Sequence, residues 1–322
     1  MYSDEKVDIK ENSIYKIDSD LLAILLFDRT TNKNILWATD IYESHGIKYS
    51  ASSSITIDQI TGRNGQVIKP RTRKSKIDQE KRIKSKAEVF TPAWICNEQN
   101  NIIDSIWFEE KNVFNVPNGK SWKTNKKKIS FNKKTWKEYV EDLRLEISCG
   151  EAPYLVSRYD ATNGTIIDVI DRVGLLDRKL RIVNENCNEK NDWLFWCENA
   201  YKSIYGYEWQ GDSLLIAREN LLYTFIDNYY YKFKQVPSID ELKQIAYIIS
   251  WNIFQMDGTK FVIPNSCKNE VKHDYTLFGD FVTTIECEGC KKNRNNIHNG
   301  IYVKIMNWST NRKIKFISLF RK

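Results

Sequence analysis

Two phrases decide the fold that this sequence predicts, namely Leu145-Glu-Ile-Ser-Cys-Gly-Glu-Ala-Pro-Tyr-Leu155 and Ile204-Tyr-Gly-Tyr-Glu-Trp-Gln-Gly-Asp-Ser-Leu-Leu-Ile-Ala-Arg-Glu-Asn-Leu-Leu222. The first reads as a strand that runs into a tight turn and a helix. The second reads as a brief apolar strand, an acid at its tip (Glu208), and a helix with Leu and Ile at helical spacing. In open α/β sheets, ligands bind at the carboxyl ends of strands, with a small-residue turn under the cofactor and an acid that holds ribose hydroxyls. The two phrases therefore predict the halves of a nucleotide-cofactor pocket.

The composition predicts a globular, basic protein. Of the 322 residues 41% are hydrophobic, and the 10 Trp and 17 Tyr suit apolar packing or base stacking. The net charge of +7 favours a polyanionic partner, because clustered Lys and Arg release counterions from a phosphate backbone. A merely basic soluble protein is the alternative. The seven cysteines fit reduced thiols, and there is neither a signal peptide nor a bilayer-spanning apolar run. We therefore expect a cytoplasmic protein with no membrane partner.

The two phrases resemble motifs I and II of class I S-adenosylmethionine (SAM) methyltransferases, in the form found in amino-group DNA methyltransferases of restriction-modification systems. Motif I of that group reads D/E-x-x-C-G-S/T-G, and motif II is a strand that ends in an acid ahead of an I-A-R-x-N-L-type helix. The resemblance implies a Rossmann-like α/β sheet, SAM as the cofactor, and methylation of adenine N6 in double-stranded DNA. The residues that it assigns to the cofactor here are Glu146, Cys149, Gly150, Glu208 and Trp209.

One departure from motif I lies in Glu151-Ala-Pro153, where the family has a small residue and a second glycine. A glycine at that place lets the backbone approach the ligand closely. Pro153 therefore argues against the family's usual cofactor pose.

Two further phrases resemble motifs of the same group and occur in the same order. Phe90-Thr-Pro92 resembles motif X, which closes over the methionine end of SAM, and Thr91 and Pro92 also suit a helix start. The phrase that ends in Asp257-Gly258 resembles motif III, which places Asp257 near the adenine ring. A common strand end with a D-G turn is the alternative for Asp257.

The catalytic motif IV, D/N/S-P-P-Y/F, has no counterpart in the sequence. In that motif an amide or acid accepts a hydrogen bond from the target amine, and an aromatic ring stacks on the flipped base. Asn307 and Trp308, at the end of a predicted strand, are the only candidates in the correct order. We predict that Asn307 lies beside the strand that carries Glu146. The alternative is that Trp308 belongs to the core.

The segment from Arg63 to Lys86 is strongly basic. Such a density predicts a surface that faces DNA phosphates, although a charge run is often only a solvated face. The DNA-binding candidates are Arg63, Arg71, Arg73, Lys74, Lys76 and Arg82. The stretch 112–137 is also basic, and its aromatics Trp122, Phe131 and Trp136 either hold nucleotides or pin an insertion to the core.

The polar stretch 265–300 contains Cys287-Glu-Gly-Cys290, with Cys267, His273 and His298 elsewhere in it. A lone C-x-x-C is weak support for zinc, since a tetrahedral site needs four ligands. Cys267 and the histidines could complete a site, but the sequence predicts no metal, and a loop with free thiols is the expectation.

The sequence thus predicts a basic N-terminal extension (1–86) and a methyltransferase-like domain (87–322) with a basic insert (112–137) and a polar loop (265–300). Its leading function is SAM-dependent methylation of adenine N6 in DNA. The alternative is a degenerate methyltransferase fold that binds DNA or a partner subunit without methyl transfer. The expected protein partner is a specificity subunit, a nuclease subunit or a second copy of the chain.

Overall fold

Three parallel strands position the predicted pocket in this computed structural model, which describes residues 11–86, 88–276 and 279–320. Residues 1–10 of the predicted extension, Ala87 at the predicted domain boundary, two residues of the polar loop (277 and 278) and the last two residues lie outside the described part. No helix within the described ranges has both the length and the hydrophobicity that a bilayer-spanning segment requires.

Helices form most of the regular structure. The α-helices in the described residues are α1 (Glu11–Ile17), α2 (Ser19–Leu26), α3 (Ile57–Ile60), α4 (Lys76–Lys86), α5 (Ala93–Phe108), α6 (Trp136–Glu141), α7 (Leu175–Asn186), α8 (Lys190–Lys202), α9 (Gly211–Phe233), α10 (Ile239–Asn252) and α11 (Glu288–Lys292). Short 3₁₀ turns occur at Glu43–His45, Ile47–Tyr49, Gly62–Asn64, Arg71–Arg73, Val169–Asp171 and Phe316–Phe320.

The strands are short and form small sheets. They are β1 (Phe27–Asp28), β2 (Lys33–Asn34), β3 (Asn115–Asn118), β4 (Ser121–Thr124), β5 (Arg144–Glu146), β6 (Ile204–Glu208), β7 (Ile253–Gln255), β8 (Glu270–Thr276), β9 (Gly279–Ile285), β10 (Lys304–Asn307) and β11 (Arg312–Lys315). Four antiparallel pairs, β1–β2, β3–β4, β8–β9 and β10–β11, accompany one parallel sheet of order β5–β6–β7. The fold is therefore mixed α/β, and its small sheets do not confirm the predicted Rossmann-like sheet within the described residues.

The parallel sheet has β6 at its centre. Glu146 pairs with Gly206, and Gly206 pairs with Ile253 on the other side. A Cβ on Gly206 would lie 3.3 Å from both Cys149 Sγ and Ile253 Cδ1, so a larger residue here would push the turn after β5 away from the sheet. Helices α7 and α8 connect β5 to β6, and α9 and α10 connect β6 to β7. All three carboxyl ends thus meet at one edge of the sheet.

The N-terminal segment shares the main hydrophobic core. Buried Leu22, Trp37 and Ile55 belong to the same cluster as Ile204 of β6 and Leu215 of α9. The boundary at residue 86 stays a prediction, but the described part of the extension packs on the sheet and its helices.

Arg218, buried in α9, joins this segment to the sheet. Its guanidinium donates to the carbonyl oxygens of Leu25 (2.5 Å), Phe27 (3.1 Å), Ser250 (3.3 Å) and Ile253 (2.7 Å). Burial lowers the pKa of Arg218 to about 10, which leaves it charged at neutral pH. A buried cation therefore bridges the N-terminal chain, α10 and β7.

The local predictions had mixed outcomes. The apolar run Asp20–Asp28 predicts a short buried helix, which is confirmed as α2. The phrase Ser238-Ile-Asp-Glu241 predicts a capping box, which is confirmed at the start of α10, where the Glu241 amide donates to Ser238 Oγ. The alternation in Ile55-Thr-Ile-Asp-Gln-Ile60 predicts a strand, and this prediction is wrong. The Gln59 side chain accepts the Thr56 amide at 2.8 Å, and the short helix α3 forms there instead.

Candidate cofactor site

A cavity of about 670 Å³ opens at the carboxyl ends of β5 and β6. This volume lies within the range of roughly 300–1,000 Å³ that small-molecule sites occupy. Three separate segments line it: 88–91 before α5, 146–154 after β5, and 208–213 from β6 into α9. The residues predicted from sequence that line it are Phe90, Thr91, Glu146, Cys149, Gly150, Glu208 and Trp209.

The turn after β5 winds tightly around the Glu146 carboxylate. Its oxygens accept the amides of Tyr154 (3.3 Å) and Leu155 (3.2 Å). The backbone of the turn is left-handed at Ser148 (φ +48°), Gly150 (φ +53°) and Ala152 (φ +63°). Ala152 lies where the resembling family carries its second glycine, and it keeps the glycine-like conformation although a Cβ there is unfavourable. Pro153 lines the cavity beside this turn.

Glu208 holds the two turns together. One oxygen accepts the Gly150 amide at 2.9 Å, and the other accepts the amides of Trp209 (2.9 Å) and Gln210 (3.1 Å). A carboxylate has about four lone-pair sites, so three amides leave capacity for a ligand hydroxyl. Glu208 thus orders the walls of the cavity and is placed to contact its contents.

The cavity is acidic. Burial raises the pKa of Glu146 to about 8, with a contribution from Glu208, and burial also raises the pKa of Glu208. Among the lining residues that the structure describes there is neither Lys nor Arg, and the third acid, Glu88, is already paired with Arg82. The described lining therefore lacks the cationic side chains that bind a polyphosphate.

Phe90 and Thr91 form the wall opposite the turn. A Cβ on Gly150 would lie 3.7 Å from the Phe90 ring, so the ring and the turn are in close contact. Thr91 does not cap the following helix, because the N-cap of α5 is Pro92. The first amide of the helix, that of Ala93, donates to the Asp160 carboxylate at 2.8 Å. Pro92 itself is not among the lining residues.

Asp257 also lies outside the lining residues. Its Oδ1 accepts from the Thr259 amide (2.9 Å), the Thr259 hydroxyl (2.6 Å) and the Lys260 amide (3.2 Å). The residue closes the turn after β7, which is the alternative that the sequence offered.

The predicted position of Asn307 and Trp308 is wrong. Strand β10 pairs with β11 and not with β5, and Asn307 Oδ1 accepts from Ser309 and Thr310 in the hairpin turn. Trp308 Nε1 donates to Asn252 Oδ1 at 2.8 Å, and Asn252 immediately precedes β7. The pair therefore lies towards the amino end of the parallel sheet. The hairpin β10–β11, which follows the polar loop, packs there against the end of α10.

Two predicted DNA-binding residues are internal ion-pair partners. Arg82 donates to Asp212 at 2.5 Å and is 2% exposed, and Lys74 Nζ lies 3.5 Å from the same carboxylate. Burial favours the neutral form of Asp212, but the two cations hold its pKa well below the ordinary value. These residues anchor the basic segment to α9 and are not available to phosphates.

The other basic candidates lie nearer the surface. Arg63 and Lys76 are exposed, and Arg71 and Arg73 are half-buried. The Arg71 guanidinium lies 5.0 Å from the centre of the Phe90 ring. Arg63 and Arg73 help to line a basic groove of about 800 Å³, which also contains Lys69 and Lys81.

Sequence reasoning missed several lining residues. They are Glu88, Val89, Ile147, Ser148, Tyr154, Gln210 and Ser213. Each lies within four residues of a quoted motif residue, so widening every motif by one helical turn would have found them.

The edge of the sheet beside the cavity is open. Within the described residues β5 pairs only with β6, and the side chains of Leu143, Leu145 and Ile147 are 70%, 43% and 67% exposed. Alternating exposed apolar residues on an edge strand are typical of a surface that another strand or chain covers.

In the basic insert 112–137 the aromatic residues pack internally. Phe131 and Trp136 lie against the main core, and Trp122 Nε1 donates to the Asp171 carbonyl at 2.8 Å. This arrangement favours the interpretation of a pinned insertion over that of a nucleotide-holding surface.

The polar loop brings four metal-ligand side chains together. The prediction of no metal site was based on a missing second pair of ligands, and the fold supplies Cys267 and His298 beside Cys287 and Cys290. His273, which lies on β8, is not part of this cluster.

Comparisons of the chain with protein-family models, with curated proteins and with solved structures found no match.

Proposed function

We propose that the chain binds SAM in the cavity at the ends of β5 and β6, as the cofactor-binding part of a DNA adenine-N6 methyltransferase. One observation carries this proposal. The three segments that resemble motifs X, I and II are far apart in sequence, yet all three line one cavity. The turns after β5 and β6 meet because these strands are parallel neighbours, but segment 88–91 comes from outside the sheet and has no such reason to join them.

The charge of the cavity supports SAM over other nucleotide cofactors. SAM carries a sulfonium and an ammonium group, and a cation bound beside Glu146 and Glu208 favours the ionised form of both acids. ATP and the dinucleotides carry phosphates, for which the described lining of the cavity offers no Lys or Arg. Glu208 has the remaining acceptor capacity for ribose hydroxyls, and Trp209 and Phe90 offer ring surface to adenine.

A second candidate function is binding without methyl transfer. The observation that favours it is the position of Asn307 and Trp308, because this predicted amide–aromatic pair lies outside the cavity lining and cannot orient a flipped adenine there. The open edge of β5, with Leu145 and Ile147 exposed, is where a second chain would have to approach to supply such a group.

Calorimetric titration with SAM, and with ATP as the anionic control, tests the cofactor proposal. We expect SAM to bind and ATP not to bind. Glu208→Ala should weaken SAM binding by about 1–3 kcal/mol, because a charged hydrogen-bond acceptor is lost. Asn307→Ala is the matched control and should leave SAM affinity unchanged. No detectable SAM binding by the wild type at millimolar ligand would contradict the proposal.

A methyl-transfer assay on mixed genomic DNA then separates the two functions. Labelled methyl groups on adenine would support the enzyme. SAM binding without transfer would exclude an enzyme that acts alone, and would support a protein that binds without transfer or that needs a second chain for it.

A further inference from the structure

Three thiols and one imidazole converge where the polar loop folds back on itself. The ligand atoms of Cys267, Cys287, Cys290 and His298 all lie within 4.8 Å of one another. His298 Nδ1 lies 3.6 Å from Cys267 Sγ, 3.6 Å from Cys287 Sγ and 3.7 Å from Cys290 Sγ. The imidazole nitrogen is therefore nearly equidistant from the three sulfurs.

These distances match a tetrahedral zinc site. With Zn–S of about 2.3 Å and Zn–N of about 2.1 Å, tetrahedral geometry separates the nitrogen from each sulfur by about 3.6 Å. Cys₃His is a usual ligand set of structural zinc sites. We propose that Cys267, Cys287, Cys290 and His298 bind one Zn²⁺ ion.

The neighbouring backbone is shaped for this cluster. A Cβ on Gly289 would lie 2.5 Å from His298 Nδ1, and a Cβ on Gly300 would lie 2.9 Å from Cys267 Sγ. The Asn299 amide donates to Cys287 Sγ at 3.3 Å, a contact that stabilises a metal-bound thiolate. The lack of a side chain at Gly289 and Gly300 thus leaves room for His298 and Cys267, and the Asn299 amide contacts Cys287.

Four protein ligands leave no open position, so the ion has a structural and not a catalytic role. Val262, a few residues before Cys267, forms β-bridges with both Asp257 and Tyr302. At the other end of the loop, the His298 amide donates to the Tyr302 hydroxyl at 2.9 Å. The ion would close the two ends of the loop that carries β8 and β9, and attach them beside the turn after β7.

Zinc content tests this inference independently of SAM binding, since none of the four ligands lines the cofactor cavity. The full chain, purified without chelators or metal-affinity resin, should contain one zinc per chain by mass spectrometry. Exchange with Co²⁺ should give the intense visible bands of a tetrahedral thiolate complex.

Variants identify the ligands. Cys287→Ser and Cys290→Ser should each lose the zinc, and Cys187→Ala, a buried cysteine outside the cluster, should keep it. Gly289→Ala keeps all four ligands but crowds His298, and it should lose zinc to a competing chelator at about 10- to 100-fold lower chelator concentration than the wild type.

Two results would overturn the inference. The first is a folded, reduced wild-type chain that contains no zinc and gives no cobalt spectrum. The second is full zinc retention in Cys290→Ser. A Cys287–Cys290 disulfide in the freshly purified protein, detected by thiol counting with and without reductant, would assign the pair to redox chemistry instead.

Discussion

Glu146 is a buried acid whose charge the native protein suppresses. Its carboxylate lies under the turn after β5 and receives two backbone amides, but burial raises its pKa from 4.5 to about 8. In the unfolded chain this carboxyl loses its proton near pH 4.5, whereas in the native chain it keeps the proton to about pH 8. The native state therefore binds the extra proton between these values.

We predict that the contribution of Glu146 to stability falls as the pH rises. Between about pH 5 and pH 8 the free energy of unfolding should decrease by up to about 1.4 kcal/mol per pH unit from this group. Urea denaturation of the wild type and of Glu146→Gln, which stays neutral, measures the difference. Equal pH slopes in the two proteins would show that Glu146 is ionised in the native state.

The residues of the cavity were predictable because their signals are local. A strand, a turn with Gly150 and an acid at the tip of the next strand are patterns of neighbouring residues, and parallel pairing then brings them together. The zinc ligands were not predictable in the same way. Cys267 and Cys290 are separated by the hairpin β8–β9, and only the folded loop shows that they meet.

At the scale of elements, the basic segment divides into buried and exposed residues. In sequence the run 63–86 looks uniformly basic. The acid that pairs with Arg82 and Lys74 is Asp212, which lies far along the chain on helix α9. The Tyr42 hydroxyl also donates to Asp212, at 2.7 Å. No pattern within the run distinguishes the structural cations from the exposed ones.

We predict that Arg82→Ala destabilises the fold strongly. Removing one partner of a buried ion pair leaves the other charge uncompensated, and the expected loss is about 3–5 kcal/mol. Lys84→Ala, an exposed position on the same helix α4, is the matched control and should stay within about 0.5 kcal/mol of the wild type. Similar midpoints of thermal unfolding for the two variants would contradict this assignment.

On the scale of the whole molecule, the exposed cations on and beside the basic groove form the candidate DNA surface. Replacing Arg63, Lys76, Lys81 and Lys84 with Ser should weaken DNA binding and flatten its salt dependence, by up to about 0.9 in log–log slope for each phosphate contact that is lost. Fluorescence anisotropy with a DNA duplex at several salt concentrations measures the slope.

Removing the same number of charges elsewhere is the control for that experiment. Lys33, Lys234, Lys304 and Lys313 are all exposed and lie outside the groove, and their replacement should leave the slope nearly unchanged. An identical loss in both quadruple variants would indicate a response to net charge, and no loss in either would exclude this surface.

Arg218 determines how far this protein can be divided. A fragment that starts at residue 87 would lack the Leu25 and Phe27 carbonyls. The Arg218 guanidinium, which donates to four carbonyl oxygens in the full chain, would keep only those of Ser250 and Ile253. The fragment would also uncover the apolar surface that Leu22 and Trp37 protect. We predict that the fragment is insoluble or molten, and that the full chain melts in a single calorimetric transition. The part of the chain from residue 87 onward is therefore not an independent folding unit: it could be transferred to another protein only together with the N-terminal segment that completes its core.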